Sequence, residues 1–182
     1  MLTLMRILRS GLRHELLGLC FLLMATSVAW ASPRVGDMAP EVVGKTLEGE
    51  TVSLAPYAGK VVVLSFWATW CPHCLKELPI LEGIQKTGAE QVQVIAVNTE
   101  PRDVYKKVVR AMKGLSMQLA WDPGKIGAEA YGVKGIPHLV IIGRDGRVQR
   151  VFKGYGESSL DHIVAELNQA IAAPAQQELS KP

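Results

Sequence analysis

Cys71-Pro72-His73-Cys74 are the residues of this sequence whose types and spacing can do chemistry. Two thiols set three apart have two uses: half of a zinc site, or a reversible disulfide. A structural zinc site takes four ligands. The other cysteine, Cys20, lies near the N-terminus, and His138 and His162 lack the spacing of a metal pair. No metal is therefore expected, and the disulfide is the favoured reading. Pro72 suits the first position of a helix. A thiol at a helix N-terminus sits at the positive end of the dipole, which stabilises its thiolate. Cys71 is expected to be the attacking, exposed thiol. Cys74, one turn inside, is expected to resolve the mixed disulfide. Pro72 and His73 tune the pair, His73 by adding positive charge beside the thiolate. Disulfide exchange needs no metal or organic cofactor.

These residues need a strand before them and a helix after them. Val61–Trp67 is apolar on both parities and rich in β-branched residues, the pattern of a central strand covered on both faces. Leu75, Leu78, Leu81 and Ile84 recur at helical spacing, with Lys76, Glu77 and Glu82 between them. Pro79 removes a hydrogen bond to the Leu75 carbonyl, so a kink is expected there. Val92–Val97 is the next strand. Arg102–Lys113 is an amphipathic helix with Val104, Val108, Val109 and Met112 facing in. Met117–Trp121 is extended and Ile126–Tyr131 is a short helix. His138–Ile142 and Arg147–Phe152 flank the turn signal Arg144-Asp145-Gly146. Ser158–Ala172 is the last helix, with Leu160, Ile163, Val164, Leu167 and Ile171 on one stripe. Upstream, Glu41–Val43 and Thr51–Leu54 read as a hairpin. The alternation calls for an α/β fold, a mixed sheet with helices on both faces.

The chain has 182 residues, 48% hydrophobic and 20% charged, with a net charge of +3. That excludes disordered and collagen-like classes and asks for no nucleic-acid partner. Residues 1–31 read as a signal peptide. Arg6, Arg9 and Arg13 precede the charge-free run Leu16–Ala29, and Ala29-Trp30-Ala31 offers a cleavage site. The alternative is an uncleaved membrane anchor. A lipid attachment at Cys20 fits less well, because Leu19 stands where a small residue is expected. Residues 32–173 form one domain, and 174–182 are a flexible C-terminal tail. Removing 1–31 leaves a nearly neutral chain with the two cysteines of the motif. The compartment implied is a periplasm, where disulfides persist.

Phe66-Trp67-Ala68-Thr69-Trp70-Cys71-Pro72-His73-Cys74-Leu75-Lys76-Glu77-Leu78-Pro79 resembles the active site of TlpA/ResA-type thiol–disulfide oxidoreductases of the thioredoxin superfamily. Their pattern is F-W-A-x-W-C-x-x-C-x-x-E-x-P. The resemblance extends to the Pro40 lead-in, the hairpin before Gly59-Lys60, Val97-Asn98-Thr99-Glu100 and Gly135-Ile136-Pro137. It implies a thioredoxin fold with an N-terminal β-hairpin and a central insertion that includes Arg102–Lys113. It implies a cis-proline at Pro137, set against the disulfide, with the Ile136 backbone offering strand-like hydrogen bonds to a substrate segment. Trp70 would cover the thiol and shape the docking surface, whereas Trp67 fits plain core equally well. Glu77 matches the family's active-site glutamate. Three residues after Cys74, it shares that thiol's helix face. Burial would raise its pKa and let it exchange a proton with Cys74.

Two departures bear on function. Thioredoxins carry a buried aspartate where this chain has Ser65, which places more of the proton transfer on Glu77 or water. Pro72-His73 is the dipeptide typical of DsbA oxidases. Potentials of such pairs run from roughly −270 mV for thioredoxin to about −120 mV for DsbA. The dipeptide favours a relatively oxidising protein; the alternative is a reductase, for example in cytochrome c maturation. A reading of another class is a Cu(I)-handling protein using Cys71, Cys74 and His138, although a packed or rim role suits His138 better. The expected partners are protein thiols and disulfides and a membrane thiol–disulfide protein that resets the pair. Membrane contact is expected only if the N-terminal segment is retained, and the protein is expected to be a monomer.

Overall fold

The computed structural model describes residues 32–154 and 157–173, with the side chains of 157–160 left out. The leader 1–31 and the tail 174–182 lie outside the described residues.

Seven strands form one sheet, in the order β2-β1-β5-β4-β3-β6-β7. They are β1 (Val42–Lys45), β2 (Thr51–Ser53), β3 (Val61–Trp67), β4 (Val92–Asn98), β5 (Gln118–Trp121), β6 (His138–Ile142) and β7 (Val148–Lys153). The described helices are α1 (Pro72–Gly88), α2 (Arg102–Ala111), α3 (Ile126–Ala130) and α4 (Glu157–Ala172). β3 runs parallel to β4 and antiparallel to β6, and β6 pairs antiparallel with β7. β4 runs parallel to β5. β1 pairs antiparallel with both β2 and β5. A β-α-β unit joined to a β-β-α unit through the central strand is the thioredoxin fold.

Every residue of β3 is buried, as its unbroken apolar run requires. Its side chains alternate between two cores. Val61, Val63 and Trp67 face a core closed by Leu78 and Leu81 of α1, Tyr105 and Val108 of α2, and Ile163 and Leu167 of α4. Val62, Leu64 and Phe66 face a second core with Val43 of β1, Ala128 of α3 and Tyr131. Helices therefore cover both faces. Leu139 and Ile141 of β6 join the first core, and Val140 and Ile142 the second.

Three inward faces differ from the sequence reading. On α1 the buried residues are Cys74, Glu77, Leu78, Leu81, Glu82 and Gln85, while Leu75 is exposed. The polar members are buried because each has a partner. Glu77 bonds Ser65, Glu82 takes the amides of Ser116 and Met117, and Gln85 accepts from Val94 N–H at 2.7 Å. On α2, Tyr105 is buried and stacks on Trp121 with ring centroids 6.0 Å apart, while Val104 and Val109 are half-buried. On α4, Val164 is exposed and Ala170 buried. α1 runs continuously through Pro79.

Candidate active site

β3 ends at Trp67, and the chain turns sharply into α1. Cys71 N–H donates to Ala68 O at 3.2 Å, closing the turn. Cys71 is the N-cap of α1 with extended backbone (φ −93°, ψ 103°), and its Sγ accepts the Cys74 N–H at 3.1 Å. Pro72 occupies the start of the helix, where a missing N–H costs nothing. The first turn of the helix carries no acidic side chain. Cys71 and Cys74 are joined as a disulfide, with Cα atoms 5.3 Å apart.

Both cysteines are buried, Cys71 at 4% exposure and Cys74 at 1%. Cys71 is therefore not the exposed thiol that its place at the helix start suggests: in the disulfide state both cysteines pack into the core with Trp67 and Leu78. Exposure falls instead on the flanking residues. Trp70 is 70% exposed, and Pro72 and His73 are exposed as well.

Glu77, at 3% exposure, lies one turn beyond Cys74 on the same buried helix face. Its Oε1 accepts the Ser65 hydroxyl at 2.7 Å. Burial raises the Glu77 pKa above the usual carboxylate range, and the Ser65 bond opposes that rise. A carboxyl so placed keeps its proton to higher pH than an exposed glutamate does.

The Ile136–Pro137 peptide is cis. Pro137 is buried, and Ile136 is half-buried against both cores. Trp67, the other tryptophan of the motif, is core.

His138 is not brought to the cysteines. It pairs in register with Phe66 and meets that ring edge-on at 6.1 Å. Side chains of β6 alternate, so His138 shares the face of Val140 and Ile142, opposite the face that holds Cys71 and Cys74. Burial, then the nearby Lys153 charge, lowers its pKa to about 4. Among the described residues no group of three His, Cys, Asp or Glu is placed to hold a metal ion.

Two features carried no advance signal. An open groove of about 460 Å³ lies between α1 and α2, lined by Trp67, Thr69, Leu75, Leu78, Val108 and Met112 among others. Glu100, just past β4, reaches back to Thr69 in the turn before Cys71. Val97-Asn98-Thr99-Glu100 stood out in the sequence only as part of the family resemblance, with no role attached to Glu100.

Fold and site define a thioredoxin-type protein with a cysteine pair at a helix N-terminus. The pattern of the AhpC/TSA family matches residues 35–151, and the chain belongs to that family. It is similar to the thioredoxin-like protein YneN of Bacillus subtilis (strain 168), 38% identical over 122 residues, 65% of this chain and 71% of YneN. The thiol-disulfide oxidoreductase ResA of Halalkalibacterium halodurans is 37% identical over 123 residues, 66% of this chain and 69% of ResA. A crystal structure from Chlorobium tepidum, described as a candidate thiol:disulfide interchange protein DsbE, matches with a TM-score of 0.70 at 31% identity. It covers 78% of this chain and 100% of the other.

Proposed function

We propose that this chain is a thiol–disulfide oxidoreductase that exchanges disulfides with protein substrates through Cys71 and Cys74. The observation that carries the reading is the Cys71–Cys74 disulfide at the N-terminus of α1, with Cys71 Sγ on the Cys74 amide. The similarity to ResA supports it.

The oxidising half-reaction runs as follows. A substrate thiolate attacks Cys71 Sγ. The substrate–Cys71 bond forms as the Cys71–Cys74 bond breaks, and Cys74 leaves as a thiolate that takes the proton of Glu77. A second substrate thiolate then attacks the substrate sulfur of the mixed disulfide. Cys71 leaves as a thiolate held by the helix N-terminus, and the substrate departs with a new disulfide. Two electrons have passed to the cysteine pair. The reverse sequence reduces a substrate disulfide, with Cys71 attacking and Cys74 resolving.

Trp70, Ile136 and Pro137 form the substrate-docking surface in this reading, and Pro72 and His73 tune the pair. Stabilising the Cys71 thiolate stabilises the reduced form and makes the disulfide the stronger oxidant. Pro72-His73 therefore favours the oxidising direction. The leader-like residues 1–31 support a periplasmic location. No helix among the described residues is long and apolar enough to cross a membrane. A membrane thiol–disulfide protein resets the pair.

A redox titration of the cysteine pair against glutathione tests the direction. The reading expects a potential well above the roughly −270 mV of thioredoxin. A potential at or below that value assigns the protein to reduction, as in cytochrome c maturation.

A further inference from the structure

The Glu100 carboxylate holds the turn that leads into Cys71 from outside. Its Oε2 accepts the Thr69 backbone N–H at 2.6 Å, and its Oε1 accepts the Thr69 hydroxyl at 2.8 Å. Asn98 Nδ2 donates to Oε2 at 3.0 Å, and Asn98 Oδ1 accepts the Glu100 N–H at 3.0 Å. Asn98 is fully buried. The Glu100 carbonyl accepts the Trp121 indole N–H at 2.7 Å. Glu100 is thus fixed through its amide, its carbonyl and both carboxylate oxygens, to the ends of β4 and β5, and it grips Thr69 with two bonds. Thr69 is otherwise exposed and stands two residues before Cys71.

We propose that Glu100 is a positioning residue that acts through Thr69 to hold Cys71 at the N-terminus of α1. The inference rests on the reading of Cys71 as the reacting thiol. Ala68–Cys71 is closed by one internal bond, Cys71 N–H to Ala68 O. The Glu100 clamp supplies an external constraint on that turn through Thr69. It thereby keeps the N-cap sulfur on the Cys74 amide, which is what stabilises the thiolate and aims it. Loss of aim of about 1 Å costs rate steeply.

Glu100 brings a negative charge to the turn as well as two hydrogen bonds, and two substitutions separate the effects. Glu100→Gln retains the geometry. Its amide oxygen takes the Thr69 and Asn98 donors, and its NH2 donates to the Thr69 hydroxyl, which accepts as readily as it donates. Glu100→Ala removes the clamp. Both remove the charge, and His73, Lys76 and Glu77 on the cysteine helix are unchanged in either.

The test uses the full chain, reduced, with glutathione disulfide as the probe. The rate constant is measured at neutral pH, and the Cys71 thiol is titrated by thiolate absorbance. Glu100→Ala is expected to react about tenfold more slowly than the native chain. Its Cys71 pKa is expected to lie above that of Glu100→Gln by about half a unit. Glu100→Gln is expected to restore the rate to within about threefold of native. Equal rates and equal thiol pKa values in the two variants overturn the proposal. If Glu100→Ala does not fold, Thr69→Ala, which removes the hydroxyl arm alone, is expected to slow the reaction about threefold, and a native rate there overturns the proposal. A native chain inert towards glutathione disulfide overturns the oxidoreductase reading, and this inference with it. A reactive native chain with indistinguishable variants overturns this inference alone.

Discussion

The Ser65 hydroxyl donates a 2.7 Å hydrogen bond to Glu77 Oε1, tying the central strand to the helix that carries both cysteines. Ser65 is fully buried and Glu77 nearly so. A lone carboxyl in that environment would be costly to ionise. The hydroxyl supplies a partner without a second negative charge, so Glu77 remains titratable, with its pKa raised by burial and eased back by Ser65.

Ser65→Ala removes the opposing bond and leaves only the burial effect. The Glu77 pKa is expected to rise further, read by carboxyl NMR titration of the reduced protein. The pH at which exchange changes rate should move upward with it. An unchanged or lowered Glu77 pKa contradicts this assignment.

Glu77→Gln keeps the shape and removes the ionisable proton. Exchange is expected to slow by about 10²-fold, the lower range for a lost general acid or base. Stability should move the other way. The native state holds the Glu77 proton to higher pH than the unfolded chain does. Its contribution is therefore full below the ordinary glutamate pKa and is lost as pH rises through the raised folded value. Glu77→Gln should melt higher than native at neutral pH, with the gap closing towards pH 4. Calorimetry across pH 4–8 reads both limbs.

Glu82 is a buried carboxylate with a different task. Burial alone would raise its pKa. The amides of Ser116 and Met117 at 2.9–3.1 Å and the Lys86 ammonium hold it below the usual range instead. It fastens α1 to the segment entering β5. Glu82→Ala leaves those amides without an acceptor and is expected to cost about 2–3 kcal/mol, measured by urea unfolding at pH 7. The native contribution should be present above the ordinary glutamate pKa and lost as pH falls through the lowered one.

His138 is expected to make the fold acid-sensitive. Its pKa falls from 6.5 to about 4, so the unfolded chain takes up a proton the native state refuses. Stability should decline as pH drops from 6.5 towards 4, by at most about 3 kcal/mol from this group. His138→Leu should flatten that decline in unfolding midpoints. Cu(I) affinity unaffected by the same substitution would agree with its place on the opposite sheet face.

Much of this was legible in the residues. The two-sided apolar run of β3 announced a central strand, and Cys71-Pro72 announced a helix start with the thiol at its N-terminal end. Glu77 was legible only by resemblance, because a glutamate between lysine and leucine reads as solvent-facing. Its burial depends on Ser65, twelve residues earlier. Glu82 and Gln85 were hidden for the same reason, since their partners at Ser116, Met117 and Val94 arrive through tertiary folding. Leu75 misled in the opposite sense: its spacing fits the inward stripe, yet it borders the groove. The Glu100–Thr69 clamp spans two loops, and no local periodicity encodes it.

The account's central claim is the division of labour between Cys71 and Cys74. The direct measurement mixes reduced Cys74→Ala and reduced Cys71→Ala, separately, with a disulfide-bonded peptide and follows adducts by mass spectrometry. The account predicts a persistent mixed disulfide on Cys71 in Cys74→Ala, and adduct formation on Cys74 at least about tenfold slower in Cys71→Ala. Equal or faster adduct formation on Cys74 would contradict it.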